Sequence, residues 1–138
     1  MLTGADCRGD DPGLAQLHYQ IQMDLFWTSL TACLHATAVA EANGIPADEF
    51  LPCAASTAAS MPGFLAFYAP RIAAGNHEGD VDRLTMGVAS LEHVLHTVEG
   101  SGVDGALPRL LADTFRKAVA AGRGGSSVTG PVPLFKGE

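Results

Sequence analysis

Two sets of side chains in this sequence carry groups able to do chemistry, and both lie on stretches with helical spacing. The first sits in Gly13 to Ala40, GLAQLHYQIQMDLFWTSLTACLHATAVA, where His18, Tyr19, Gln22, Asp24 and Thr28 are set among leucines, Ile21 and Trp27. Polar groups on so apolar a helix are either paired inside protein or turned towards a cavity that something else fills. The Tyr19 phenol is the most versatile of them, a hydrogen-bond donor whose ordinary pKa of about 10 makes it a weak acid. The second set is Met86, Ser90, His93 and Thr97, which recur at helical spacing beside an apolar stripe. An adaptable thioether among hydrogen-bonding groups suits a binding surface. Residue types alone favour the plainer reading of each: His93 as a satisfied interior or surface histidine, Tyr19 as an interior or interface tyrosine.

The remaining polar residues point to no other chemistry. There is no G-x-G-x-x-G after a strand, no Walker A loop, no H-E-x-x-H, no nucleophile elbow and no EF-hand loop, so nothing in the sequence binds a nucleotide on its own. No metal site is expected. Asp10, Asp11, Asp48, Glu49, Asp80 and Asp82 fall near predicted helix starts, where capping explains them better than acid–base chemistry. His35, His77 and His96 lack partner spacing, so surface or packing roles suffice. Cys7, Cys33 and Cys53 are odd in number and far apart, which argues for reduced thiols, with Cys33 and Cys53 buried for structural reasons.

The elements that must position these groups are helices. Asp24 is the only formally charged residue between Gly13 and Ala40, and apolar residues fall on every side of the wheel, so this long helix should be covered all round. Asp10-Asp11-Pro12-Gly13 is its start signal and Asn43-Gly44 its stop, with Pro46 preventing continuation. A second helix begins near Ala47-Asp48-Glu49, and Pro62-Gly63 should kink or split it before Phe64 to Ala73 resume. A third runs from about Val81 to Gly100 with Leu84, Val88, Leu91, Leu95 and Val98 as its core stripe. A fourth is opened by Pro108 and stopped by Gly122, with Leu107, Leu111, Phe115 and Val119 on one face. Residues 1–12 form an irregular lead-in, 13–122 the helical domain, and 123–138 a Gly/Pro-rich tail ordered only in part. No strand or internal repeat is apparent, so the fold class is all-α, built around one long buried helix.

Composition excludes several partners. At 138 residues the chain is one domain with a core of its own, and its net charge of −7, with scattered basic residues, leaves no patch for a phosphate backbone, so nucleic acid is not expected. The long apolar run could cross a bilayer by length, but glutamines, histidines, threonines and an aspartate interrupt it and no basic flank marks a cytoplasmic side, so no membrane is expected. The N-terminus has neither a positive n-region nor an apolar h-region, which makes the cytoplasm the default location.

The run G-L-A-Q-L-H-Y, Gly13 to Tyr19, with Trp27 eight residues on, resembles the start of the C-terminal helical domain of the NADPH-dependent imine reductases and reductive aminases, relatives of the 6-phosphogluconate and β-hydroxyacid dehydrogenases. The resemblance continues through LPCAASTAASMPGFLAFYAPRIAAGNH, Leu51 to His77, and DRLTMGVASLEHVLHTVEGSGVDGALP, Asp82 to Pro108, and so covers about Asp10 to Val119. Each motif is weak alone; their order and spacing together are fairly specific. The hydroxyacid dehydrogenases carry a lysine six residues after the glycine that Gly13 resembles and an asparagine four residues beyond, where this sequence has Tyr19 and Met23. That difference disfavours a hydroxyacid dehydrogenase and is similar to the tyrosine-type imine reductases, a group associated imperfectly with one product enantiomer.

The resemblance implies a 6-phosphogluconate dehydrogenase C-terminal-like fold and hydride delivery from NADPH to the carbon of a C=N bond, with an imine, or a ketone plus an amine, as substrate. It places Tyr19 at the catalytic position, as hydrogen-bond donor or proton relay, and Trp27 where its ring face could meet a cationic iminium, a contact worth about one kcal/mol or more when desolvated. Met86 and Gly87 resemble residues lining the cofactor end of the cleft, Met86 as a substrate contact and Gly87 as a cofactor contact, and His93 lies deeper as a substrate contact. A full member also has an N-terminal Rossmann domain holding NADPH and a connecting helix, and two subunits exchange helical parts. This sequence begins after that connecting helix, so the expectation is a C-terminal fragment encoded as its own product, or the surviving half of a split gene, unable to turn over alone. It would act as a homodimer or with a Rossmann-containing subunit. The alternative is a non-catalytic helical interaction and dimerisation module.

Overall fold

A computed structural model describes residues 12–138, and among them every regular element is helical. The elements are α1 (Pro12–Ala42), α2 (Ala47–Ala73), α3 (Leu84–Gly100), α4 (Ala106–Ala118) and the short α5 (Pro131–Phe135), with a wider π-type turn, Val119–Arg123, continuing α4. The chain divides into two units, residues 1–36 and residues 37–138.

In the described part of the first unit, α1 runs uninterrupted because nothing after Pro12 breaks it, Gly13 being the last glycine before Gly44. The whole helix has 31 residues and so is about 46 Å long. Its apolar side chains are not covered as the sequence suggests. Leu17, Ile21, Leu25, Trp27 and Leu34 are each more than half exposed. A helix apolar on every side needs neighbours on every side, and one chain of this size does not supply them. Cys33 is exposed for the same reason, and Cys53 on α2 is exposed as well, so the expected structural burial of both thiols is not found.

The second unit takes in the end of α1 and everything after it. Gly44, at φ 79°, makes the left-handed turn that stops α1, and the Ile45 and Asn43 amides donate to the Ala40 carbonyl, each at 3.0 Å. The Asn43 side-chain amide donates to the Ser101 hydroxyl at 2.8 Å, fastening this end to that of α3. α2 differs from expectation: Pro62-Gly63 does not split it, and Pro52, Pro62 and Pro70 all lie inside one 27-residue helix with no buried residue. Each proline removes a donor but leaves the remaining ladder intact, and an exposed helix lets water satisfy the carbonyls left over.

α3 packs on α4. Leu84 and Val98 of the expected core stripe are buried, and Val88, Leu91 and Leu95 are half-buried. α3 starts at Leu84 rather than Val81, because Arg83 is extended at φ −135°. On α4 the buried residues are Pro108, Ala112 and Ala118, whereas Leu111 is exposed. Leu107, Phe115 and Val119 of the expected face are half-buried, so the contact face is shared between these larger side chains and the small Ala112 and Ala118. Arg116 pairs with Glu92 at 3.0 Å and with Asp113 at 2.9 Å, and Arg109 with Glu99. These exposed pairs contribute little to stability and fix orientation instead.

The tail is the largest departure from the sequence reading. Ser127, Thr129, Gly130, Pro131 and Pro133 are all buried, and α5 forms with Pro131 at its first position. An isolated bridge pairs Ser126 with Glu78.

Candidate functional site

Tyr19 and Trp27 both lie on the part of α1 in the first unit, and both are exposed, at 54% and 61%. Eight helical residues separate them by about 12 Å along the axis. Phe26 meets Trp27 edge-to-face at 5.3 Å between centroids, which steadies the indole while leaving much of it open. Met86, Gly87 and His93 lie in the second unit, all on α3. Met86 and His93 share one face, seven residues apart, and both are exposed. The expected site residues therefore fall into two sets on two elements, one aromatic and one mixed, each open to something outside its own helix.

Gly87 has a packing role that the sequence does not reveal. A Cβ placed there would lie 2.7 Å from Cε1 and 2.9 Å from Cδ1 of Phe115, so the absent side chain is what admits the α4 ring. Gly87→Ala is expected to destabilise the chain by about 1–3 kcal/mol, as overpacking does, measured as a fall in the denaturation midpoint at unchanged m-value.

Sequence reasoning missed a polar cluster where α2, the α2–α3 loop and the tail meet. Asp82 does not cap a helix. Its carboxylate accepts the Tyr68 hydroxyl on Oδ2 and the Val128 amide at 2.7 Å on Oδ1. Burial pushes the Asp82 carboxyl up, but the Tyr68 hydroxyl, the Val128 amide, Ser127 and the nearby Arg71 charge outweigh it and hold it below the ordinary carboxylate range. Asp80 is held low by the hydrogen bond from Arg71, whose guanidinium also donates to the Glu78 carbonyl at 2.9 Å and lies over the Phe67 ring. His77 Nδ1 lies 2.8 Å from the Thr129 hydroxyl. The one available signal was the i, i+3, i+4, i+7 spacing of Phe64, Phe67, Tyr68 and Arg71 on α2.

The Tyr68 phenol is pushed up to about 12, first by the hydrogen bond it donates to Asp82, then by burial and the Asp82 charge. A raised folded-state value means the contribution to stability is complete below the unfolded value near 10 and is lost as pH rises through about 12. In a Tyr19→Phe chain Tyr68 is the only phenol, so its ultraviolet phenolate absorbance is expected to appear near pH 12. In a Tyr19→Phe/Asp82→Asn chain it should move down towards 10.

Beside this cluster Ser60, Gly63, Phe64, Phe67, Tyr68 and Val81 line an open apolar groove of about 410 Å³. Among the described residues no group of three His, Cys, Asp or Glu could hold a metal. The first amides of α3 are already used: Leu84 donates to the Ser126 carbonyl at 2.7 Å and Thr85 to that of Gly124 at 3.4 Å. No free helix N-terminus is left there for a diphosphate.

A family profile described as the NADPH-dependent reductive aminase-like C-terminal domain matches residues 11–137. Solved structures match over nearly the whole chain. An imine reductase from Bacillus cereus is 51% identical with a TM-score of 0.92, over 95% of this chain and 46% of that one. A Streptomyces aurantiacus imine reductase is 48% identical with a TM-score of 0.88, over 93% and 44%. A reductive aminase from Aspergillus terreus, in complex with NADPH4, cyclohexanone and allyl amine, is 30% identical with a TM-score of 0.86, over 92% and 45%. The chain thus spans less than half the length of each of these structures. A comparison with curated proteins returns no match. With a family match over nearly its full length and an all-helical fold shared with imine reductases, this chain belongs to the NADPH-dependent reductive aminase-like family as its C-terminal domain.

Proposed function

We propose that the chain is the substrate-side and dimerisation half of an imine reductase, reducing a C=N bond to an amine once a nucleotide-binding domain completes the cleft. The observation that carries this is Tyr19: a phenol more than half exposed near the start of a long apolar helix, in a chain half identical to an imine reductase. NADPH, held by a Rossmann domain outside this chain, supplies the hydride. Everything else falls to the side chains present.

Tyr19 hydrogen-bonds the substrate nitrogen and, directly or through water, gives an imine nitrogen the one proton that makes it an iminium; hydride to the carbon then leaves a neutral amine, and solvent returns the proton to the phenol. The acceptor is an iminium, so the surroundings must tolerate a cation, and the exposed Trp27 ring offers it a π-face. The family resemblance makes Met86 and His93 on α3 substrate contacts and Gly87 a cofactor contact. The substrates are an imine, or a ketone together with an amine. The partner is a second copy or a Rossmann-containing subunit, and the location is the cytoplasm.

The chain alone is expected to leave NADPH unoxidised in the presence of an imine. With a nucleotide-binding domain from a relative added, imine-dependent loss of nicotinamide absorbance should appear. No activity under complementation would favour a non-catalytic helical interaction module instead, a role the exposed apolar helices would also suit.

A further inference from the structure

α3 begins without a side-chain cap: the residue before its first turn is Arg83, which makes no capping hydrogen bond. An α-helix leaves its first amides without partners inside the helix, and here the C-terminal segment takes them. The strap from Gly124 to Lys136 doubles back so that the Ser126 and Gly124 carbonyls accept from Leu84 and Thr85. The same passage buries Leu84 completely and brings Gly125 so close to Gly79 that a Cβ there would sit 2.2 Å from its carbonyl oxygen.

Two anchors keep the strap in place. The Ser127 amide donates to the His77 carbonyl at 2.9 Å, with His77 Nδ1 on the Thr129 hydroxyl. The other anchor is Asp82, two residues before α3, which accepts the Val128 amide on one carboxylate oxygen and the Tyr68 hydroxyl of α2 on the other. Three separate stretches of chain, 68, 82 and 128, thus converge on one carboxylate. The Arg71 charge also acts on it, although Arg71 itself is committed to Asp80.

We propose that the C-terminal strap is the N-terminal cap of α3 and that Asp82, braced by Tyr68, is the positioning residue that locks it there, fixing the height of Met86 and Gly87. This rests on the reading of those two residues as cleft residues. Asp82 touches neither substrate nor cofactor; it acts through the strap. Charge-assisted hydrogen bonds to a half-buried carboxylate are the strong kind, so one residue can hold a segment that makes no long regular element.

The test uses the full chain and two variants, Asp82→Asn and Tyr68→Phe, with amide exchange followed residue by residue. Asp82→Asn is expected to speed exchange at Val128, Leu84 and Thr85 by about tenfold or more, with the amides of α4 and the C-terminal half of α3 unchanged. Tyr68→Phe, which keeps the ring, should give a smaller change at the same amides. Unchanged exchange at those three, or an equal loss of protection across α4, would overturn the lock. In the complemented enzyme Asp82→Asn should raise KM for NADPH by about tenfold with kcat kept within about twofold. A faster-exchanging strap with an unchanged KM would overturn the positioning role. If the unaltered chain shows no activity under complementation, the imine reductase reading fails and the positioning role with it, while exchange still decides the lock.

Discussion

Tyr19→Phe, assayed in the chain complemented by a nucleotide-binding domain, is expected to lower kcat by about 10²-fold or more with little change in KM. The size separates two roles for the phenol. A neutral hydrogen bond that only orients the substrate contributes about 0.5–1.5 kcal/mol, roughly tenfold at most. Proton transfer from a positioned acid to the imine nitrogen contributes about 10²–10⁴-fold, because the protonated C=N is the better hydride acceptor. Folding does not confound the comparison. Tyr19 is 54% exposed, so removing its hydroxyl is a surface change expected to cost within about 0.5 kcal/mol. The check is steady-state kinetics with saturating NADPH, alongside the helical circular dichroism and denaturation midpoint of the variant. A kcat within a factor of two of the unaltered chain would remove Tyr19 from the chemistry.

The helices were largely legible in the residues. Asn43-Gly44 ends α1 because glycine acts through the backbone alone, which any context must obey, while Asp10 and Asp11 of the expected start lie outside the described residues. Leu84 and Val98 were legible as core because an amphipathic stripe needs little more than one neighbour to bury it; α4 packs on α3, and the tail completes the cover at Leu84. The tail was not legible. Glycine, serine and proline in Gly124 to Pro133 read as loose chain, and what orders them is a carboxylate 46 residues upstream of Val128. Composition carries no record of so distant an acceptor. The same blindness hid Tyr68, Arg71 and Asp80, whose partners lie across a loop rather than along a helix. Cys33 and Cys53 failed for a different reason: thiols among apolar neighbours are buried only if those neighbours are themselves covered. Of the candidate site, residue types alone favoured the plainer reading of Tyr19, and Tyr19, Trp27 and Gly87 were singled out only by the family resemblance. Gly87 as the seat of Phe115 was not legible, because the ring it admits comes from another helix.

The uncovered face of α1 leads to the second large effect: Leu25→Asp is expected to weaken self-association of the chain by about 10²–10⁴-fold. Leu17, Ile21, Leu25, Trp27 and Leu34 are each more than half exposed along one helix, and monomeric proteins seldom leave so extended an apolar surface in water. A second copy is the occupant that requires no further gene product, since a two-fold interface presents the same surface from both sides. Symmetry also doubles the cost of a substitution. Burying one leucine is worth about 1.5–3 kcal/mol, so losing it from both copies removes about 3–6 kcal/mol before the carboxylate's own desolvation is counted. Leu25 is 64% exposed, so in the isolated chain an aspartate there meets water rather than core and should leave helix content unchanged. Sedimentation velocity over a concentration series checks it: the unaltered chain should sediment as a dimer and Leu25→Asp as a monomer of the same helicity. Asp113→Asn, which removes one exposed partner of Arg116 on α4, should leave the dimer intact because such pairs contribute little. If the unaltered chain is monomeric at every concentration, the face belongs to a nucleotide-binding domain. Leu25→Asp should then abolish complementation instead.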